Sequence, residues 1–157
     1  MALPALPEPE NGMVVRFNYR CAGEFTAVKD RPACIALVRG VPDPRHDPLD
    51  GPQQILKQIV YLPISSRPPQ PDRTALEFPA IIASRLGFKH SRCWVIVSEC
   101  NVQYWPNDVT RIPDSGGQWA YGFVPPGFFK KIRDTFRQEI VRRKANILNV
   151  HYLAPRR

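Results

Sequence analysis

Prolines constrain this chain more than any other feature. The sequence of 157 residues contains 18 prolines, against an ordinary usage of about 5 %. A proline fixes its own backbone and has no N–H to donate, so clusters of prolines exclude helix and central strand. The clusters are Pro4, Pro7 and Pro9; Pro42, Pro44, Pro48 and Pro52; and Pro68, Pro69 and Pro71. They mark a tail and loops around a compact body, and the short apolar runs between them predict a mostly β domain.

The apolar runs predict strands followed by one long helix. Strands are expected over residues 13–19, 33–39, 55–63, 74–78, 93–97 and 118–123, with long loops over 20–30 and 40–54. A short internal helix over 79–86 begins with a first-turn proline and ends at Gly87. The long C-terminal helix begins at Pro126, and its apolar face carries Phe129, Ile132, Phe136 and Ile140.

Positive charge is concentrated near the C-terminal end. Residues 126–157 carry nine Lys or Arg against Asp134 and Glu139, so nearly all of the net charge of +8 lies there. Such a face attracts nucleic acid or an acidic protein, and the same pattern is also typical of the solvated side of a helix. We divide the chain into a disordered leader (1–11), a single domain (12–145) and a basic tail (146–157).

The cysteines and the apolar runs bear on the compartment. No run approaches the roughly 18 apolar residues of a membrane span, and the N-terminus lacks the basic-then-apolar order of a secretory signal. We therefore expect a cytoplasmic protein with no membrane partner. The four cysteines form no CxxC pair, so neither a zinc site nor another cofactor is expected. Cys34 and Cys93 lie in strand-like runs and are predicted to be reduced core residues.

The segment Lys29-Asp-Arg-Pro-Ala33 leads directly into an apolar strand. Because a proline fits the first residue of a strand, Arg31 is expected at the mouth of that strand. An arginine keeps its charge and offers a planar fork of donors that matches a phosphate. The same dipeptide is also consistent with a surface arginine that merely caps a strand.

Together these pieces resemble the PemK/MazF family of toxins from bacterial toxin–antitoxin modules, over roughly residues 12–140. The resemblance rests on Gly12 before the first strand, Lys29-Asp-Arg-Pro-Ala33, Leu62-Pro-Ile-Ser65-Ser66, and the long helix after two prolines. It implies an SH3-like small barrel and a homodimer. It also implies a metal-independent endoribonuclease that cleaves messenger RNA and is inhibited by an acidic antitoxin.

The resemblance also implies roles for individual residues. Arg31 matches the catalytic arginine of the family, and Ser65 matches its catalytic serine or threonine. The family often has an Asp-Gln pair after a later strand, whereas this chain reads Ser98-Glu-Cys-Asn101. Glu99 keeps a carboxylate at that place, so it is the third catalytic candidate.

Metal-free cleavage of RNA uses attack by the 2′-hydroxyl on the adjacent phosphorus. It needs a base for the 2′ proton, a positive group for the phosphoryl oxygens and a proton for the leaving 5′ oxygen. Arg31 is assigned to charge stabilisation and Ser65 to hydrogen bonding of the phosphate. Glu99 is a candidate base, or alternatively a structural carboxylate paired with Arg31 or Arg16.

Further side chains beside these motifs are predicted to contact single-stranded RNA, namely Arg16, Lys29, Ser66, Asn101 and Trp105. Trp105 and its neighbour Tyr104 could stack on bases, although aromatic residues beside an apolar strand also occur as core. The three histidines, His46, His90 and His151, are either acid–base groups or solvated loop residues.

Three functions stay open on the sequence alone. The first is the toxin-type endoribonuclease. The second is a non-catalytic module that binds protein or nucleic acid, since position 99 departs from the family pattern. The third is a growth inhibitor that acts on a protein target, because a fold by itself does not decide function.

Overall fold

The computed structural model describes residues 2–21, 28–88, 92–143, 145–151 and 153. Most of the predicted loop over 20–30 lies outside these residues, as does His90. The strands are β1 Met13–Arg20, β2 Val28–Pro42, β3 Ile55–Ser65, β4 Ala75–Glu77, β5 Trp94–Ile96, β6 Glu99–Tyr104, β7 Val109–Thr110, β8 Ala120–Phe123 and β9 Asn146–Asn149. The helices are α1 Ala80–Arg85 and α2 Pro126–Arg143, with a short 3-10 helix at Pro48–Asp50.

The protein is mainly β, as predicted, with its strands in one sheet. The order is β4-β5-β3-β2-β1-β7; β6 also pairs with β3, and β8 also pairs with β1. The ladders are antiparallel except that β9 joins β6 in parallel. Over the described part of the chain, backbone pairing does not close this sheet into a barrel. The SH3-like barrel implied by the resemblance is therefore not confirmed.

Helix α2 covers one face of the sheet. Phe129, Ile132 and Phe136 are buried in the larger hydrophobic cluster together with Val14, Leu62 and Val95. The predicted face was wrong at its last position, because Ile140 is 38 % exposed whereas the neighbouring Glu139 is buried. Among the described helices, none is both long and apolar enough to cross a membrane.

The hairpin of β2 and β3 is the longest element of the sheet. Its register shifts between Ile35, which pairs with Tyr61, and Leu37, which pairs with Val60. Ala36 is therefore an extra residue on β2, and such a β-bulge bends the strand and increases its twist. Strand β2 begins at Val28 rather than at residue 33, so Arg31 lies within the strand and not at its mouth.

The two ends of the chain are more structured than the sequence predicts. Residues 146–149 of the predicted basic tail form β9. Residues 2–10 contain no helix or strand, but they touch the body. The carbonyl oxygen of Pro4 accepts hydrogen bonds from Arg111 Nη1 at 2.9 Å and from Trp119 Nε1 at 3.3 Å.

Candidate nucleic-acid interface

A groove opens where β2 and β3 separate. Their last pair is Ala33 with Pro63, after which β3 pairs with β5 through Ile64 and Ser65. Residues 28–32 of β2 remain paired with β1 alone. Pro63 and the neighbouring Pro32 have no N–H to donate, so the ladder loses donors at the point where the strands part. The proline motifs therefore account for the position of the opening.

Arg31 and Ser65 line this groove together. Its volume is about 860 Å³, and its walls include Arg31, Pro32, Ile64 and Ser65. The two residues lie beyond the last β2–β3 pair, each two residues from it, where the strands have separated. The sequence analysis thus selected two residues, distant along the chain, that the fold brings to one cavity.

Positive charge dominates the groove. It is lined by four cationic side chains and two carboxylates, namely Arg16, Lys29, Arg31, Arg67, Asp30 and Asp114. The guanidinium of Arg16 already has two hydrogen-bond partners. Its Nε donates to Asp30 Oδ2 at 2.7 Å, and its Nη1 donates to the hydroxyl of Tyr121 at 3.3 Å. Burial by itself lowers the pKa of Arg16, but these two hydrogen bonds outweigh it and the pKa is raised.

Arg31 is more available to a ligand than Arg16. Within the residues described, no carboxylate oxygen lies within 4.0 Å of its guanidinium. Its nearest recorded partner is the ring of Tyr19, whose centroid lies 6.0 Å from Arg31 Cζ. A cation at that distance from an aromatic face is held only weakly. Arg31 therefore has no ion pair among the described residues to give up when an anion binds.

Ser65 ends β3 in a small hydrogen-bonded turn. Its Oγ accepts from the backbone N–H of Arg67 and donates to the carbonyl oxygen of Arg67, both at 3.0 Å. Ser66 is exposed between them and also lines the groove. The hydroxyl of Ser65 thus holds Arg67 in position as well as facing the cavity.

Among the lining residues that the sequence motifs did not indicate are Arg67, Phe88 and Tyr121. Arg67 follows the recognised serine pair directly and could have been included. Phe88 follows Gly87, which ends α1, and its N–H donates to Ala83 O at 3.1 Å. Tyr121 carried no local signal, because its position depends on how β8 pairs with β1.

Glu99 is not among the residues that line the groove, so the structure does not bring it together with Arg31 and Ser65. It is only 4 % exposed and its Oε1 accepts from Arg73 Nη1 at 2.6 Å. Its Oε2 accepts from the buried hydroxyl of Tyr19 at 3.4 Å. This ion pair with Arg73 is of the structural kind considered as the alternative for Glu99, with a different arginine from the Arg31 or Arg16 expected there. Burial and the neighbouring carboxylate raise the pKa of Tyr19 well above its ordinary range.

Asn101 is likewise a structural residue and not a wall of the groove. It is fully buried. Its Oδ1 accepts from the backbone N–H of Arg20 at 2.8 Å, and its Nδ2 donates to the carbonyl oxygen of Arg20 at 3.0 Å. This side chain connects the end of β1 to β6 where no backbone ladder joins those strands.

The aromatic residues predicted to stack on bases lie elsewhere. Trp105 packs against the smaller hydrophobic cluster and precedes a cis proline. Its backbone N–H donates to the carbonyl oxygen of Lys57 at 2.8 Å. Tyr104 packs on His151, with ring centroids 4.4 Å apart. Of the described histidines, neither His46 nor His151 lines the groove.

The cysteines and acidic groups suggest no metal centre. Over the residues described, no group of three His, Cys, Asp or Glu side chains is placed to hold a metal ion. All four cysteines are free, and Cys34 and Cys93 are buried as predicted, together with Cys100. Burial raises the pKa of Cys34 to about 12.

Comparison with known proteins identifies no relative. No family model matches the chain, and no curated protein or solved structure matches it significantly.

Proposed function

We propose that this protein is a toxin-type endoribonuclease that cleaves single-stranded messenger RNA in the groove between β2 and β3. One observation carries the proposal: Arg31 and Ser65 line the same cationic cavity. The motifs around these two residues are those on which the PemK/MazF resemblance rests. A permanent cation and a hydroxyl in the lining of one groove are suited to binding a backbone phosphate.

In the proposed reaction, the 2′-oxygen of one nucleotide attacks the adjacent phosphorus. The bond from phosphorus to the 5′ oxygen of the next nucleotide breaks, and that oxygen takes a proton from water, which leaves a 2′,3′-cyclic phosphate and a 5′-hydroxyl. Arg31 stabilises the charge on the phosphoryl oxygens, because its guanidinium has no ion pair among the described residues to give up. To donate a hydrogen bond to the same oxygens, the hydroxyl of Ser65 exchanges the carbonyl oxygen of Arg67 for the phosphate.

The proton acceptor is assigned to a carboxylate of the groove in place of Glu99. Asp30 and Asp114 both line the cavity. Asp30 already holds Arg16 through Oδ2 and accepts from Thr110 Oγ1 at 3.4 Å through Oδ1. Asp114 is exposed and is the freer of the two to approach a 2′-hydroxyl. A catalytic base must reach that proton directly or through one water.

The proposal extends to the fold family and the partners. We regard the sheet as an SH3-like barrel left open between β1 and β6, where the side chain of Asn101 supplies the link. The exposed cations of α2, among them Lys131, Arg137 and Arg142, favour an acidic antitoxin as a partner. A homodimer and action in the bacterial cytoplasm belong to the same proposal.

A second candidate is a module that binds single-stranded nucleic acid without cutting it. The burial of Glu99 beside Arg73 favours this alternative, because the groove then lacks the carboxylate expected at that position. The two candidates share the ligand and differ only in turnover. The third possibility, growth inhibition through a protein target, predicts no affinity for RNA.

Cleavage of a mixed single-stranded RNA by purified protein in EDTA tests the proposal. Removing a donor to a developing oxyanion typically costs about 10²–10³-fold in rate, so Arg31→Ala should lose most of the activity. Arg39→Ala is the matched control, since Arg39 lies in the same strand but pairs with Gln58 away from the groove. Equal rates for wild type and a folded Arg31→Ala protein would exclude the catalytic role. Binding without cutting would favour the second candidate.

A further inference from the structure

Tyr121 lies in a β-bulge at the wall of the groove. The consecutive residues Val14 and Val15 of β1 pair with Gly122 and Ala120 of β8, so Tyr121 is the extra residue between two pairs. A bulge redirects the side chain of its extra residue and often lies beside a functional site. Gly122 has φ of 141°, a conformation that other residues rarely adopt, so this bulge depends on a glycine.

The ring of Tyr121 is held in place from two sides. Its centroid lies 5.4 Å from that of Phe88 with an interplanar angle of 63°, an edge-to-face contact. Arg16 Nη1 donates to the tyrosine hydroxyl. Phe88 in turn packs edge-to-face on the buried Phe78 at 6.3 Å. An aromatic surface that is already fixed loses little conformational freedom when a ligand binds.

The fixed aromatic pair and the cations share one cavity. Tyr121 and Phe88 line the groove together with Lys29, Arg31 and Arg67. Aromatic rings beside a cationic track are the combination by which proteins bind single-stranded nucleic acids, because each base has a face that can stack. Bases within a duplex are already stacked and paired, so this arrangement discriminates against double strands.

We infer that Tyr121, supported by Phe88, is the base-stacking platform of the groove. A nucleotide of single-stranded RNA lays its base on Tyr121 while the phosphates of the strand contact cations that line the same groove. This inference rests on the proposed function only in taking single-stranded RNA as the ligand, and it does not require cleavage. It replaces Trp105 as the residue that stacks.

The test compares two RNA strands that cannot be cleaved. One is a short 2′-O-methylated single strand, and the other is the same strand with abasic sugars, which keeps the phosphates. A stacked base contributes about 1–3 kcal/mol, so Tyr121→Leu should weaken binding of the intact strand about 5- to 150-fold and leave the abasic strand unchanged. Tyr121→Phe keeps the ring and should retain most of the affinity.

The outcomes separate this inference from the proposed function. If Arg31→Ala weakens both strands but Tyr121→Leu weakens neither, or weakens both equally, the groove binds phosphate and the stacking role is wrong. If wild type binds neither strand, the proposed function and the platform both fall.

A measurement without any variant covers the case in which Tyr121→Leu does not fold. Wild-type protein should bind adenosine 5′-monophosphate at least about fivefold more tightly than ribose 5-phosphate. Equal affinity for the two would overturn the inference.

Discussion

The side chain of Asn101 satisfies both backbone groups of Arg20, accepting from its N–H at 2.8 Å and donating to its carbonyl oxygen at 3.0 Å. An amide side chain can do this because it carries one acceptor and two donors. The contact joins the last residue of β1 to the middle of β6, two strands that share no ladder. A side chain therefore links two strands that backbone hydrogen bonds do not join directly.

Replacing Asn101 should therefore lower the free energy of unfolding and leave the choice of ligand in the groove unchanged. Asn101→Ala removes the partner of two part-buried backbone groups of Arg20, a residue that is itself exposed, and a typical hydrogen bond contributes about 0.5–1.5 kcal/mol. Denaturant unfolding should show a loss of about 1–3 kcal/mol in the free energy of unfolding. Asn146→Ala, at an exposed position of β9, is the control and should change it by less than about 0.5 kcal/mol. Equal effects of the two variants would contradict the bridging role.

Glu99→Gln separates a structural carboxylate from a catalytic one. The amide cannot form the ion pair with Arg73, and a hydrogen bond to a charged group is worth about 1.5–3 kcal/mol. Arg73 keeps contact with solvent, its side chain being 30 % exposed, so we expect a loss at the lower end of that range. RNA cleavage per folded molecule should change less than about twofold. A drop of 10²–10⁴-fold would instead mark a general base.

Ser65 and Arg67 should be coupled in RNA binding. The hydroxyl of Ser65 holds both backbone groups of Arg67, so Ser65→Ala releases Arg67 from its place in the groove. Dissociation constants for RNA should be measured in a double-mutant cycle with Arg67→Ala. The binding free energies derived from them should show a coupling of about 0.5–3 kcal/mol. Ser65→Thr keeps the hydroxyl and is the control. Additive effects would mean that Ser65 acts on RNA without help from Arg67.

Stability should fall as pH drops below the ordinary pKa of histidine. His151 lies against Tyr104 and Gln58 Nε2, 3.0 Å from its Nε2. Burial, and secondarily the charge of Arg39, lower the pKa of His151 in the folded protein. Below about pH 6.5 the unfolded chain therefore binds a proton that the folded chain resists, and the free energy of unfolding decreases with falling pH.

The His151 effect is isolated by substitution. In His151→Gln the decrease between pH 7 and pH 5.5 should be smaller than in wild type, as measured by urea unfolding at each pH. Identical pH profiles for the two proteins would show that His151 does not contribute.

Thiol reactivity should report the arrangement of the cysteines. Burial raises the pKa of Cys100 to about 12 and that of Cys93 to about 11, and Cys34 is fully buried. Only Cys21 is partly exposed. At pH 8 the native protein should react rapidly through one thiol and the denatured protein through four, as counted with a chromogenic disulfide. Cys21→Ser should remove the rapid phase; two or more rapid thiols in wild type would contradict the fold.

The elements that the sequence predicted correctly are those with local signals. Strand β1 shows alternating apolar residues, α1 is bracketed by a first-turn proline and Gly87, and α2 begins at Pro126 as expected. Strand β6 was missed because its buried residues include Glu99, Asn101 and Gln103. Glu99 and Asn101 find their partners far along the chain, and Gln103 bonds both Val150 and the nearby Asp108. These polar residues interrupt the strand, so no hydrophobic alternation appears. Strand β9 is short and exposed, and only its pairing with β6 defines it.

The candidate site was predictable to the extent that it follows from motifs. Arg31 and Ser65 were selected because each adjoins a proline motif, and those prolines lie where the two strands separate. Phe88 and Tyr121 could not be selected in this way. Phe88 is positioned by the end of α1, and Tyr121 by a bulge in β8. Whether either side chain reaches the groove depends on how these elements pack in the folded chain.

The extra residue Ala36 sets where the β2–β3 hairpin tolerates a change in length. Side chains alternate between the two faces of a strand, so deleting or inserting one residue between Ala36 and Arg31 turns the guanidinium to the opposite face. Residues 43–54 connect the far ends of the two strands, and additions there leave Arg31 and Ser65 in place. Insertions and deletions that preserve a working groove, whether natural or engineered, should therefore accumulate at the far turn and be absent from the strands themselves.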